Sequence, residues 1–127
     1  MNKPLVIVVA DEEPDIRSLL CAFLTPHGYQ VLSAKDGEDV LQFLKSQKVD
    51  LVIADIHTPK LGGPQLYEAA CKLHPGLHGR FVFTGPISGS EPPLYEGNPV
   101  LAKPFQFDKL LSTVQKLTEK KTNTTAQ

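Results

Sequence analysis

The sequence predicts an α/β fold, a doubly wound sheet of five parallel strands with about five helices on its two faces. Short aliphatic runs, such as LVIVVA at residues 5–10, are typical of strands buried on both faces, and they alternate with segments whose apolar residues recur at helical spacing. The connections are short, which favours parallel strands joined by right-handed crossovers. At 127 residues the chain has the size of one domain. We expect a core at about residues 4–118 and a flexible polar tail at 119–127.

Five segments predict the strands of this sheet. Three are nearly continuous runs of aliphatic and aromatic residues, as expected for strands buried on both faces, and another alternates apolar and polar residues. In chain order, the expected strands are residues 5–10, 29–34, 50–55, 80–84 and 100–102.

The helices between the strands are indicated mainly by residues at their ends. Pro14 suits the first turn of the first helix, and Gly28 suits the position just past its end. Asp36 can cap a second helix, and Pro64 opens a third. A last amphipathic helix begins near Phe107.

Residues 85–99 oppose regular structure. This stretch contains three Gly, four Pro and two Ser in fifteen positions. The fourth helix is therefore expected to be short or absent, with only a helical turn near Leu94 and Tyr95. We expect the stretch to be mobile, because few apolar side chains are available to anchor it.

Composition excludes several classes of protein. A net charge of −1 and the lack of a basic cluster argue against direct binding of nucleic acid or an anionic membrane surface. No apolar run is long enough to span a bilayer, and the N-terminus does not resemble a signal peptide. Cys21 and Cys71 lack metal-site spacing and predict buried thiols in a reducing compartment, with a disulfide as the less favoured alternative. We therefore expect a cytoplasmic protein.

Charged and polar residues follow the strands at one edge of the predicted sheet. Asp11 and Glu12 follow the first strand, Asp55 ends the third, Thr84 ends the fourth and Lys103 follows the fifth. Ligands bind at the carboxyl ends of parallel strands, so these groups are expected to meet. Three carboxylates repel one another unless a cation lies between them, and oxygen ligands favour Mg²⁺. A carboxylate beside Mg²⁺ can attack phosphorus, while an ammonium and a hydroxyl hold the phosphoryl oxygens.

Each of these residues also has an ordinary structural interpretation. Acids before Pro14 stabilise a helix N-terminus through its dipole, which is sufficient to explain Glu13 and Asp15. Asp55 alone would more often be a loop acid or a helix cap, and a lone lysine normally lies on the surface. Their joint placement at four of the five strand ends is what favours a functional site.

Four motifs resemble the receiver domain of two-component response regulators. They are VIVVADEEPDIR, DLVIADIHTPKLGG, FVFTG and VLAKPF, and they occur in that order across nearly the whole chain. The resemblance implies a flavodoxin-like sheet with strand order 2-1-3-4-5. It also implies a cis peptide bond between Lys103 and Pro104, the kind of bond for which cis costs least.

The resemblance also implies a role for each site residue. Asp55 would accept a phosphoryl group from a histidine kinase or a histidine phosphotransfer protein, and the domain would then change conformation to signal. It would be a signalling domain and not an enzyme, apart from self-catalysed phosphotransfer and slow autodephosphorylation. The Mg²⁺ ligands would be Asp11, Glu12, Asp55 and the backbone carbonyl of His57. Thr84 would be the switch hydroxyl, and Lys103 would pair with the phosphoryl group.

Some positions depart from the family pattern. His57 stands where many members carry an apolar residue, and Val100 replaces the usual switch aromatic three residues before the lysine. The short stretch between Thr84 and Lys103 puts the usual output surface in doubt. In its length and its prolines, this stretch resembles the corresponding part of receivers attached to hybrid histidine kinases.

Three other functions fit parts of the sequence. A dehalogenase-type aspartyl-phosphate enzyme would need Asp at the position of His57, with Asp55 on the first strand. A flavin or nucleotide module would need a Gly- or Ser/Thr-rich phosphate loop after the first strand, where acids stand instead. A pseudo-receiver that only binds protein partners ranks above these two. The sequence leaves the oligomeric state, the cognate kinase and the output open.

Overall fold

The computed structural model describes residues 4–85, 94–95 and 97–118. The strands in this part are β1 Val6–Ala10, β2 Gln30–Ala34, β3 Leu51–Asp55, β4 Phe81–Gly85, β5 Leu94–Tyr95 and β6 Asn98–Ala102. The α-helices are α1 Pro14–Leu24, α2 Gly37–Ser46, α3 Gly63–Leu73 and α4 Phe107–Thr118, with 3-10 turns at Thr25–His27 and Pro75–Leu77.

The strands form one sheet in the order β2-β1-β3-β4-β6-β5. All neighbours from β2 to β6 are parallel, and only β5 runs antiparallel, along β6. With β6 as the fifth parallel strand, the predicted order 2-1-3-4-5 is confirmed.

The core lies on both faces of the sheet. Along β1, Ile7 and Val9 pack into the cluster with residues of α1 and α4, whereas Val8 and Ala10 pack with residues of α2 and α3. All four side chains are at most 2% exposed. This explains why β1 is aliphatic at every position, since a strand covered on both faces has no side that contacts water.

The predicted helix ends are largely confirmed. Pro14 opens α1, and Asp36 caps α2 by accepting a hydrogen bond from the Asp39 amide at 2.9 Å. Gly28 follows the 3-10 turn Thr25–His27 instead of ending α1 directly. Its φ of 96° lies in the left-handed region that favours glycine.

The expected helical turn near Leu94 and Tyr95 is wrong, because these residues form β5. They pair with Pro99 and Asn98 of β6, which also begins two residues before the expected strand. The side chain of Asn98 is fully buried, and its Oδ1 accepts a hydrogen bond from the Phe81 amide at 3.1 Å. The other part of the expected mobile stretch, residues 86–93 and 96, lies outside the described residues, as does the tail at 119–127.

Two further predictions concern the cysteines and membrane spans. Cys21 and Cys71 are both free thiols; Cys71 is buried as predicted, whereas Cys21 is only half-buried, and burial raises the pKa of each. Within the described ranges, no helix combines the length and the apolar character needed to cross a bilayer.

Candidate functional site

The strand register brings the predicted site residues to one end of the sheet. Ala10 of β1 lies beside Ala54 of β3, so Asp11 continues next to Asp55. On the other side of β3, Asp55 lies directly beside Thr84 of β4. The three residues therefore stand side by side at the carboxyl ends of the central strands.

Lys103 joins this row from the end of β6. Its ammonium Nζ lies 2.6 Å from Oδ2 of Asp11 and 2.6 Å from Oδ2 of Asp55. Its amide donates to the carbonyl of Gly85 at 3.0 Å, which holds the backbone against β4. The peptide bond between Lys103 and Pro104 is cis, as predicted.

The second oxygen of each carboxylate is held by a backbone amide. Oδ1 of Asp11 accepts from the Glu13 amide at 2.9 Å, and Oδ1 of Asp55 accepts from the His57 amide at 2.7 Å. Each carboxylate is therefore fixed at both oxygens, with one oxygen turned toward Lys103. The side chain of Asp11 is 3% exposed and that of Asp55 is 17% exposed, so Asp55 is the more accessible of the two.

The charges of the two carboxylates determine the protonation of Lys103. Burial on its own would lower the pKa of this ammonium. The hydrogen bonds and charges of Asp11 and Asp55 act in the opposite direction and outweigh burial, so the pKa of Lys103 lies above its ordinary value. The lysine is therefore a permanent cation at neutral pH.

Thr84 is buried beside Asp55, with 2% exposure. Its carbonyl accepts a hydrogen bond from the Ile56 amide at 2.9 Å, which ties the loop after β3 to β4. Thr84 thus lies beside Asp55, the residue that the family resemblance predicts as the phosphoryl acceptor.

Glu12 and His57 are both exposed and lie at the rim of the site. Among the described residues, no three Asp, Glu, His or Cys side chains are grouped at metal-binding distances, so Glu12 does not join Asp11 and Asp55 in this conformation. The chemistry of the donors still fits Mg²⁺, because Asp11 and Asp55 offer carboxylate oxygens at the same edge of the sheet.

Two contacts at the site were not predicted from the sequence. The Arg17 guanidinium donates to the backbone carbonyl of Asp11 at 2.7 Å from the second turn of α1. The buried Thr58 hydroxyl donates to the backbone carbonyl of Asp55 at 2.5 Å. In the sequence, only the short separations of Arg17 from Asp11 and of Thr58 from Asp55 indicated these contacts. Such separations are common in loops and at helix starts, so they did not single these residues out.

Comparison with known proteins agrees with this geometry. The family model of the response regulator receiver domain matches residues 7–87, which is more than half of the chain. The chain belongs to this family. The matched part of the receiver includes Asp11, Asp55 and Thr84 of the site.

Relatives of this receiver include both regulators and sensor kinases. The transcriptional regulatory protein GlrR of Escherichia coli (strain K12) is 37% identical over 76 residues, which cover 60% of this chain and 17% of GlrR. Sensor histidine kinase RcsC of Salmonella typhi is 29% identical over 127 residues, which cover 98% of this chain and 13% of RcsC. The receiver thus spans less than a fifth of either relative.

Solved receiver structures share the fold. The receiver domain of the hybrid histidine kinase CckA has a TM-score of 0.75 and 28% identity, covering 90% of this chain and 99% of that chain. The signal receiver domain of an HD domain-containing protein from Pseudomonas fluorescens Pf-5 has a TM-score of 0.82 and 24% identity, covering 100% of this chain and 96% of that one.

Proposed function

We propose that this receiver accepts a phosphoryl group on Asp55, with Mg²⁺ bound, and changes conformation to signal. The donor is a histidine kinase or a histidine phosphotransfer protein, as the similarity to kinase-attached receivers suggests. The proposed setting is the cytoplasm, where the free thiols of Cys21 and Cys71 persist.

The position of Lys103 is the observation that supports this proposal most strongly. Its ammonium contacts Asp55 and Asp11 equally, at 2.6 Å. The ammonium thus lies at the point where a group bound to Asp55 would add negative charge. The ammonium can therefore form an ion pair with the phosphoryl oxygens once Asp55 is phosphorylated.

The proposed chemistry is a direct transfer to the carboxylate. An oxygen of Asp55 attacks the phosphorus, a new P–O bond forms, and the P–N bond of the donor phosphohistidine breaks. The departing imidazole keeps the electron pair of that bond and takes up a proton. Thr84 and Lys103 hold phosphoryl oxygens. Mg²⁺ supplies charge neutralisation when it is held by Asp11, Glu12, Asp55 and the His57 carbonyl.

Replacing the acceptor tests the assignment. With Mg²⁺ and acetyl phosphate, the wild-type protein is expected to gain one phosphoryl group by mass spectrometry. Asp55→Asn should gain none, because an amide oxygen is a poor nucleophile toward phosphorus. Asp15→Asn is the matched control, since Asp15 is an exposed acid in the first turn of α1 and should leave the gain unchanged. A phosphorylated Asp55→Asn protein would refute the assignment.

One observation favours a second function, that of a pseudo-receiver that only binds protein partners. Glu12 does not group with Asp11 and Asp55 at metal-binding distances, and Lys103 already neutralises these two carboxylates. This function predicts that acetyl phosphate with Mg²⁺ leaves the mass of the wild-type protein unchanged. The same experiment therefore separates the two functions.

A further inference from the structure

The loop after Asp55, residues 56–62, is the segment that orients the acceptor carboxylate. Its His57 amide holds one oxygen of Asp55 at 2.7 Å. The loop is closed by hydrogen bonds from the Thr58 amide to the Asp55 carbonyl at 3.0 Å and from the Gly63 amide to the Ile56 carbonyl at 2.8 Å. Contacts that fix this loop therefore help to fix the direction of the Asp55 carboxylate, together with Lys103 at its other oxygen.

The far end of the loop is bound to the N-terminus of α2 by two kinds of contact. The Gly37 amide donates to the Pro59 carbonyl at 3.0 Å. The Lys60 ammonium lies 3.5 Å from Oδ2 of Asp36 and 3.4 Å from Oε1 of Glu38. We call this set of contacts between loop 56–62 and the start of α2 the loop brace.

Gly37 allows the two segments to approach this closely. A Cβ added at position 37 would lie 2.5 Å from Cβ of Leu61, closer than real atoms pack, and 3.0 Å from its carbonyl oxygen, which is also tight. The loop brace therefore depends on the absence of a side chain at the first residue of α2 as well as on charge.

Lys60 has the conformation of a residue held in place by its surroundings. Its φ is 71°, and within the described residues it is the one non-glycine residue with positive φ. A lysine adopts this left-handed conformation when other contacts compensate for its cost. Asp36 is a preformed partner, because the Asp39 amide, and after it the charge of Lys60, hold the pKa of Asp36 below its ordinary value against the effect of burial.

We propose that Lys60 and Gly37 are positioning residues for phosphoryl transfer, which act on Asp55 through the loop brace. When the loop brace is intact, loop 56–62 is fixed against α2 and the His57 amide stays on the Asp55 carboxylate. Loosening the loop brace weakens the hold of the His57 amide and leaves Lys103 as the remaining partner of that carboxylate, so fewer encounters with a donor find it aligned. The effect on the rate of phosphorylation rests on the proposed function, whereas the effect on the hydrogen bond between His57 and Asp55 does not.

The test compares Lys60→Met with Lys35→Met by NMR of the unphosphorylated protein. Lys35 is a matched control, because its ammonium pairs with Asp39 of the first turn of α2 at 3.2 Å and acts on Asp36 only through its charge. We expect the His57 amide signal to move and its hydrogen exchange to quicken in Lys60→Met but not in Lys35→Met. An unchanged His57 amide in Lys60→Met, or an equal change in Lys35→Met, would overturn the inference.

The second measurement is the rate of phosphoryl gain from acetyl phosphate. The Lys60 side chain is 55% exposed, so its ion pairs are of the solvated type. We expect Lys60→Met to slow the reaction about two- to five-fold, the factor that corresponds to an exposed ion pair, and high salt to slow the wild type toward the variant. A rate equal to that of the wild type at low salt would count against positioning.

Gly37→Ala provides an independent arm, with Gly76→Ala as its control because a Cβ at Gly76 meets nothing within 4 Å. We expect the His57 amide to move in Gly37→Ala alone, and an unmoved amide would contradict the steric part of the inference. If Gly37→Ala fails to fold, the exposed substitution Lys60→Met alone tests whether the loop brace positions the His57 amide. If the wild type gains no phosphoryl group, the proposed function fails, and the amide measurement still tests the loop brace.

Discussion

At the scale of single residues, Lys103 connects the two acids of the site. Asp11 and Asp55 come from different strands, yet each turns one oxygen toward the same ammonium. The sequence predicted that these three residues would meet, because parallel strands end at a common edge. It did not predict that lysine would bridge both acids, since this depends on side-chain directions that only the packed sheet determines.

Replacing this lysine should reduce stability at neutral pH. Lys103→Met leaves two adjacent carboxylates without their cation, and we expect the free energy of unfolding to fall by about 1–3 kcal/mol. Lys109→Met, an exposed substitution in α4, is the control and should have little effect. Urea denaturation of the three proteins measures the difference, and equal stability of Lys103→Met and wild type would contradict the bridging role.

The same lysine predicts a pH dependence in the alkaline range. Because its pKa is higher in the folded protein, its ion pairs contribute fully below the unfolded-state pKa of about 10.4. This contribution is lost as pH rises through the higher folded-state pKa. Wild-type stability should therefore converge on that of Lys103→Met at strongly alkaline pH, as followed by urea midpoints. A constant difference between the two proteins would argue against the raised pKa.

At the scale of secondary-structure elements, patterns within one segment were sufficient for most of the fold. Buried strands are continuous aliphatic runs, and the cap at Asp36 needs only a side chain three residues before its partner amide. The strand pair β5–β6 was missed for a physical reason. Asn98 and Pro99 are poor strand formers, and their pairing with Leu94 and Tyr95 depends on contacts across the sheet.

Asn98 should be important for the start of β6. Its Oδ1 accepts from the buried Phe81 amide, so Asn98→Ala leaves that donor without this partner. We expect a loss of about 1–3 kcal/mol in the free energy of unfolding and faster hydrogen exchange at Phe81. The exposed Gln30→Ala in β2 is the control. If Asn98→Ala matches the wild type in both measurements, the buried hydrogen bond does not stabilise the fold.

At the scale of the whole molecule, a bound divalent cation should stabilise the fold. Folding brings Asp11 and Asp55 together, and a ligand that binds only the folded state shifts the unfolding equilibrium toward it. We expect the thermal midpoint to rise with free Mg²⁺ when ionic strength is kept constant with NaCl. The rise should be smaller in Asp55→Asn. A midpoint that does not change with millimolar Mg²⁺ would count against a metal site.

The short strand β5 also affects how the molecule meets other chains. A sheet edge offers unpaired backbone groups on which a neighbouring molecule can add a strand, which leads to domain swapping or aggregation. Along β6, this edge is occupied by Leu94 and Tyr95, opposite Pro99, which has no amide proton to offer. Strand addition by another molecule is thereby hindered at the start of β6, and β2 forms the opposite edge of the sheet.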